Sequence, residues 1–142
     1  MKWTRKKKVV LIAVIVPLLL FGADFCRVQI SLSRIIGRAE LGMPLATAET
    51  EIGKATSRGS WWGSYGSGTT LYYRRPYVWE HVLASLPTRI DFRPFRIEFS
   101  DSWYVENSPA VMIQFDEQGR LAEVEKRGFA SNSSRVVKSS RH

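Results

Sequence analysis

An α+β fold, with short helices packed on an antiparallel sheet of three to four strands in two layers behind an N-terminal membrane helix, is what the hydrophobic pattern of this chain predicts. Three observations carry it. Residues 9–23 are an uncharged apolar run placed directly behind five cations, Lys2, Arg5, Lys6, Lys7 and Lys8. Between residues 28 and 53 apolar side chains recur at the spacing of helices, and from residue 69 onward they alternate as in half-buried strands.

The basic start and the apolar run come first in the chain and bound everything after them. A cationic flank beside an apolar core stays on the cytoplasmic side, so residues 1–8 are read as a cytoplasmic basic flank and 9–28 as a transmembrane signal-anchor. The fifteen residues 9–23 cover about 22 Å as a helix, short of the roughly 30 Å hydrocarbon core, and that length also suits a cleavable secretory segment. Cleavage wants a small residue three positions back, whereas cuts after Ala23 or Gly22 would place Phe21 or Leu20 there. With Phe25, Cys26 and Val28 at the boundary and Trp3 and Arg27 as interface anchors, a retained helix is long enough. Retention is therefore expected: a single-pass protein of the cell inner (cytoplasmic) membrane, N-terminus in, C-terminal domain periplasmic. Pro17 is compatible with such a span. Cys26 is the only cysteine, so the chain closes no internal disulfide, and Phe25 before it is unlike the small residue that bacterial lipidation needs.

Residues 29–41 read as a juxtamembrane amphipathic helix, with Leu32, Ile35, Ile36 and Ala39 on a stripe expected to pack on the domain, the alternatives being a place along the membrane surface or a continuation of the anchor helix. In the next helix Pro44 suits the first position and Gly53 the stop, which aligns Leu45, Ala48 and Ile52. Residues 57–68, rich in glycine, serine and aromatics, read as a loop. A strand over 69–75 ends at Pro76, and Trp79, Val82, Leu83 and Leu86 make a short helical face stopped by Pro87. Ile90 and Phe92 alternate in one register and Phe95, Ile97 and Phe99 in the other, so a bulge or bend is expected at Arg93-Pro94. Residues 104–106 end that strand. Val111, Ile113 and Phe115 alternate inward, Asp116-Glu117-Gln118-Gly119 turns, and a last strand lies near 121–126. The extracytoplasmic α+β domain thus spans 39–129, followed by a disordered basic tail over 130–142.

The net charge of +8 is not a nucleic-acid signature once its location is considered. Residues 1–8 hold five cations and residues 126–142 five more, leaving eleven basic against thirteen acidic residues over 9–125, a net of −2. No nucleic acid is expected as a partner. Chemistry is equally sparse. His81 and His142 are too few for a histidine-rich metal site, no G-x-S-x-G elbow is present, and the glycines around Ser64 and Tyr65 lack the Gly-Lys-Ser/Thr ending that aims amides at phosphate. No enzyme, cofactor or metal is expected.

The remaining candidates are aromatic. Trp61, Trp62 and Tyr65 sit among glycines and serines, with Tyr72, Arg74 and Tyr77 close by in sequence. Large aromatic surfaces want cover, so these residues either fold back over the domain's own sheet or form a docking surface.

The segment Gly42-Met43 followed by Ala48, Ile52 and Gly53, together with Val111-Met112-Ile113-Gln114-Phe115-Asp116-Glu117-Gln118-Gly119-Arg120-Leu121, resembles the SmpA/OmlA small-lipoprotein family. The first has the spacing of that family's helix between two glycines, the second its closing hairpin. Pro44, Ala48 and Ala55 depart from the pattern, the lipidated cysteine is missing, and residues 76–94 stand as an insertion. The resemblance implies helices followed by a three-stranded antiparallel sheet and a role in envelope or outer-membrane assembly. Together the readings predict a non-catalytic, membrane-anchored interaction module with an envelope protein as partner. A glycan- or peptidoglycan-binding module and an inhibitor or immunity-type protein are the alternatives.

Overall fold

The structure, a computed structural model, describes residues 4–63, 66–85, 89–92, 95–98, 107–128 and 133–138. Helix α1, Arg5–Arg38, is a single helix of 34 residues, about 51 Å long at 1.5 Å per residue. Its N-terminal part is long and apolar enough to cross a membrane and none of that stretch is buried in the protein, so α1 is a candidate membrane anchor. Pro17 lies inside it without ending it. The expected span and juxtamembrane helix are therefore one continuous rod. Its C-terminal third turns Val28, Leu32 and Ile35, spaced four and three residues apart, into the core.

Helix α2, Leu45–Glu51, has Pro44 as its N-cap residue, one position earlier in the helix than the first helical position expected for that proline. Gly53 then takes φ 102°, a value that favours glycine and stops the helix. Strands β1, Ser57–Gly63, and β2, Gly66–Arg74, form a hairpin in which Gly63 pairs with Gly66. Helix α3, Val78–Ser85, is followed by β3, Arg89–Phe92, and β4, Phe95–Glu98, which pair with each other as a separate two-stranded sheet. Strands β5, Ala110–Phe115, β6, Leu121–Arg127, and β7, Ser133–Lys138, complete an antiparallel sheet of order β1-β2-β5-β6-β7.

The architecture is α+β, as the pattern predicts, but the sheet is wider. The loop expected at 57–68 is mostly a β-hairpin. The tail expected to lack structure contains β7, paired along β6 from Arg127 opposite Ser133 to Glu123 opposite Lys138. Phe92 pairs with Phe95, while Arg93-Pro94, where a bulge or bend is expected, lies outside the described residues, as do Trp3, Tyr65, Leu86, Pro87, Phe99 and residues 104–106.

One face of the sheet makes the core. Cross-strand pairs Leu71 with Ile113, Tyr73 with Val111, Phe115 with Leu121 and Ile113 with Val124 place these side chains on the same side, where they join Val28, Leu32, Ile35, Met43, Ala48 and Ile52 in one buried cluster. The folded unit thus begins inside α1, before residue 39. Lys126 Nζ reaches Gln29 Oε1 at 2.9 Å and Arg75 Nε reaches Ser31 Oγ at 2.9 Å, which closes polar links across the helix–sheet seam. The buried Tyr73 hydroxyl donates to Gly53 O at 3.0 Å.

The two segments that carry the family resemblance touch. Gly42 N donates to Leu121 O at 2.8 Å, Leu121 N to Met43 O at 2.9 Å and Leu45 N to Gly119 O at 2.9 Å. These bonds pin the entry to α2 against the β5–β6 turn, in which Gly119 adopts φ 70° and Asp116 accepts from the amides of Gln118 and Arg120.

Candidate docking surface

Strand β1 is an edge of the sheet: β2 is its neighbour on one side, and among the described strands none pairs with it on the other. Successive side chains of a strand point to opposite faces. The adjacent tryptophans are therefore split. Trp61 lies opposite Gly68, on the face away from α1, which also carries Tyr72 opposite Met112 and Thr70 opposite Gln114. Trp62 lies opposite Ser67, on the helix side but at the far end of the hairpin.

Their environments differ as sharply as their directions. The ladder between β5 and β6 shifts register at Gln114/Phe115, and beside that irregularity the Trp61 indole donates from Nε1 to Phe115 O at 2.9 Å. Gly68 makes the room. A Cβ there would lie 1.9 Å from Phe115 O and 2.6 Å from Trp61 Nε1. Trp61 is thus half-buried over its own sheet. Trp62, by contrast, is 84% exposed.

Tyr72 and Arg74 share the face of Trp61. The Arg74 guanidinium carbon lies 5.7 Å from the centre of the Tyr72 ring, within cation–π range, and Arg74 Nε is buried without a hydrogen-bond partner. The Tyr72 ring also covers Gly59, where an added Cβ would sit 3.2 Å from it. Tyr77 is not at this surface. It is buried, 7% exposed, and stacks between Phe25 of α1, with ring centroids 6.3 Å apart, and Trp79 of α3 at 5.8 Å. That reassigns Tyr77 from candidate interface to the joint between two helices.

Electrostatics around the hairpin hold it in place. Arg58 of β1 forms an ion pair with Glu49 of α2, and the Ser67 amide donates to Glu117 Oε1 at 3.1 Å, which joins the hairpin to the β5–β6 turn. Burial pushes the Tyr73 phenol up from its ordinary value; the Glu49 carboxylate adds to this and Arg75 opposes it. His81 is exposed.

Sequence reasoning missed Glu80. It is 2% exposed, with Oε1 accepting from Tyr77 N at 3.1 Å and Oε2 from the Ser108 hydroxyl. A glutamate reaching back three residues to the amide before a helix is one half of a capping box, and Tyr77 lacks the hydroxyl of the other half, so Tyr77-Val78-Trp79-Glu80 does not carry the sequence signature. Among the described residues no three His, Cys, Asp or Glu side chains converge as a metal site would require. No family model, no curated protein and no solved structure matches this chain.

Proposed function

We propose that the protein is a non-catalytic, membrane-anchored interaction module of the cell envelope, with its N-terminus in the cytoplasm and its α+β domain on the periplasmic side of the inner membrane. The observation that carries the reading is Trp62, 84% exposed at the end of an edge strand while its neighbour Trp61 is tied to the sheet backbone. An edge strand offers unpaired amides and carbonyls to an added strand, and an exposed tryptophan beside it supplies the kind of anchor that dominates protein interfaces. Tyr72 and Arg74 extend the surface on the other face. The five cations before the apolar run support the orientation. Membership of the SmpA/OmlA family, with a role in envelope assembly, belongs to the same proposal and rests on the resemblance of residues 42–53 and 111–121.

Photo-crosslinking from position 62 of the full-length protein in its native membrane tests the reading. A single protein adduct is expected at position 62 and none from exposed Lys54. Trp62→Ala should weaken capture of that partner about thirtyfold, the loss of about 2 kcal/mol that marks a hot spot. Capture unchanged by Trp62→Ala refutes the assignment. A C-terminal reporter that is active only after export should be active; a silent reporter would reverse the orientation.

A further inference from the structure

Helix α3 packs Trp79 against the core but beside it turns a glutamate inward and valines outward. A surface helix of a water-soluble domain turns its apolar stripe inward and its charges outward. Here Glu80 is 2% exposed, whereas Val78, Val82 and Leu83 are 56%, 53% and 40% exposed. Val78 and Val82 are four residues apart and so lie on one face, the one turned away from the protein.

The place of α3 in the fold explains what this face meets. Asp24 is the first charged residue after the apolar run, and its Oδ2 accepts from Val78 N, the first amide of α3, at 2.7 Å. Arg27 binds the same carboxylate at 2.7 Å and donates to Pro76 O at 3.0 Å. The start of α3 is thereby fastened to α1 within one turn of the point where the span ends. Phe25, 48% exposed, stacks on Tyr77 and through it on Trp79. Phe25 and Arg27 are exposed at this level, and arginine is among the residues that anchor a helix where hydrocarbon meets headgroups.

We propose that α3 is an interfacial helix, with Val78, Val82 and Leu83 immersed in the headgroup and upper acyl region of the bilayer that α1 crosses. The inference rests on α1 as a membrane anchor, and it fixes the attitude of the domain: α3 lies against the membrane. An inward glutamate and outward valines are then the expected pattern, because the medium outside is lipid.

The test uses the full-length chain with Cys26→Ser, reconstituted in phosphatidylcholine vesicles, with a fluorophore on a cysteine introduced as Val82→Cys. Lipids that carry a nitroxide at the headgroup or deep in the acyl chain act as quenchers. A probe about 5–10 Å below the surface should be quenched more by the shallow than by the deep nitroxide, and at least about twofold more than one at Trp62→Cys. Val78→Cys repeats the measurement on the same face. Val16→Cys, at the middle of the apolar run, should respond most to the deep quencher. Quenching at position 16 with positions 78 and 82 no more quenched than position 62 overturns the interfacial helix and leaves the anchor standing. Absence of quenching at position 16 overturns both.

Discussion

Deleting residues 1–38 should unfold the remainder of the chain, and deleting residues 1–23 should not. The difference lies in three side chains. Val28 and Leu32 are 0% exposed and Ile35 is 5% exposed, all against the sheet. Full burial of such a side chain stabilises by about 1.5–3 kcal/mol, so the three together contribute about 5–9 kcal/mol. A domain of this kind is stable by only about 5–15 kcal/mol in total. Their loss would also expose the inner face of Val111 and Ile113 to water. A fragment that starts at Asp24 keeps the three residues, the bond from Val78 N to Asp24 and the links from Lys126 and Arg75 into α1. Urea titration followed by circular dichroism checks this: the fragment from residue 24 should give one cooperative transition and the fragment from residue 39 none. A cooperative transition of similar midpoint from residue 39 onward would show that α1 does not belong to the core, and the packing argument would fail.

The other expectations are local. Ile113→Asp places an unpaired charge at a fully buried position on β5 and should abolish cooperative unfolding, a loss of several kcal/mol; an unchanged midpoint would refute the inward register of that strand. Trp61→Ala forfeits the indole hydrogen bond and half-buried packing and should cost about 2–3 kcal/mol, while Trp62→Ala should stay within about 0.5 kcal/mol by thermal melting. Glu80→Ala leaves the Tyr77 amide and the Ser108 hydroxyl without their shared acceptor and should cost about 1–3 kcal/mol by denaturant titration. Tyr73 is held neutral by burial, so its folded value lies above the ordinary phenol value near 10. Its contribution is complete below about pH 10 and is lost as pH rises through the folded value. The thermal midpoint should therefore fall on the alkaline side together with the growth of phenolate absorbance, and Tyr73→Phe should flatten that fall.

Elements built from apolar periodicity were legible in the sequence. The stripe Leu32, Ile35, Ile36 and Ala39 and the alternation Val111, Ile113 and Phe115 both fall where they were expected, because burial of those side chains is what selects the conformation. The strand over 69–75 was legible as most of β2, but β1 and the turn end of the hairpin were not. Its glycines and serines are poor strand formers taken singly, yet Gly59 and Gly68 are present because Tyr72 and Trp61 cover the space that their side chains would fill. Strand β7 was missed for a related reason: Ser133, Ser134 and Arg135 carry no apolar alternation, and what places them is the ladder offered by β6. In both cases the determinant is a neighbour distant in sequence, which a local window does not contain.

The same limit explains how the aromatic candidates were sorted. Grouping Trp61 with Trp62 treats adjacency as likeness, which holds in a loop and fails in a strand, where adjacent residues face opposite ways. Once residues 57–63 form β1, the two side chains lie on opposite faces of the sheet and cannot belong to one continuous surface on either face. Tyr77 fails as a surface residue by another route. Its ring completes the stack from Phe25 to Trp79, so it is spent in joining α3 to α1 just beyond the candidate span. The proposed docking surface on β1 and the proposed membrane-facing α3 both draw on one arrangement, in which the aromatics near the candidate span fasten α3 to α1 and Trp62, far along the hairpin, stands exposed.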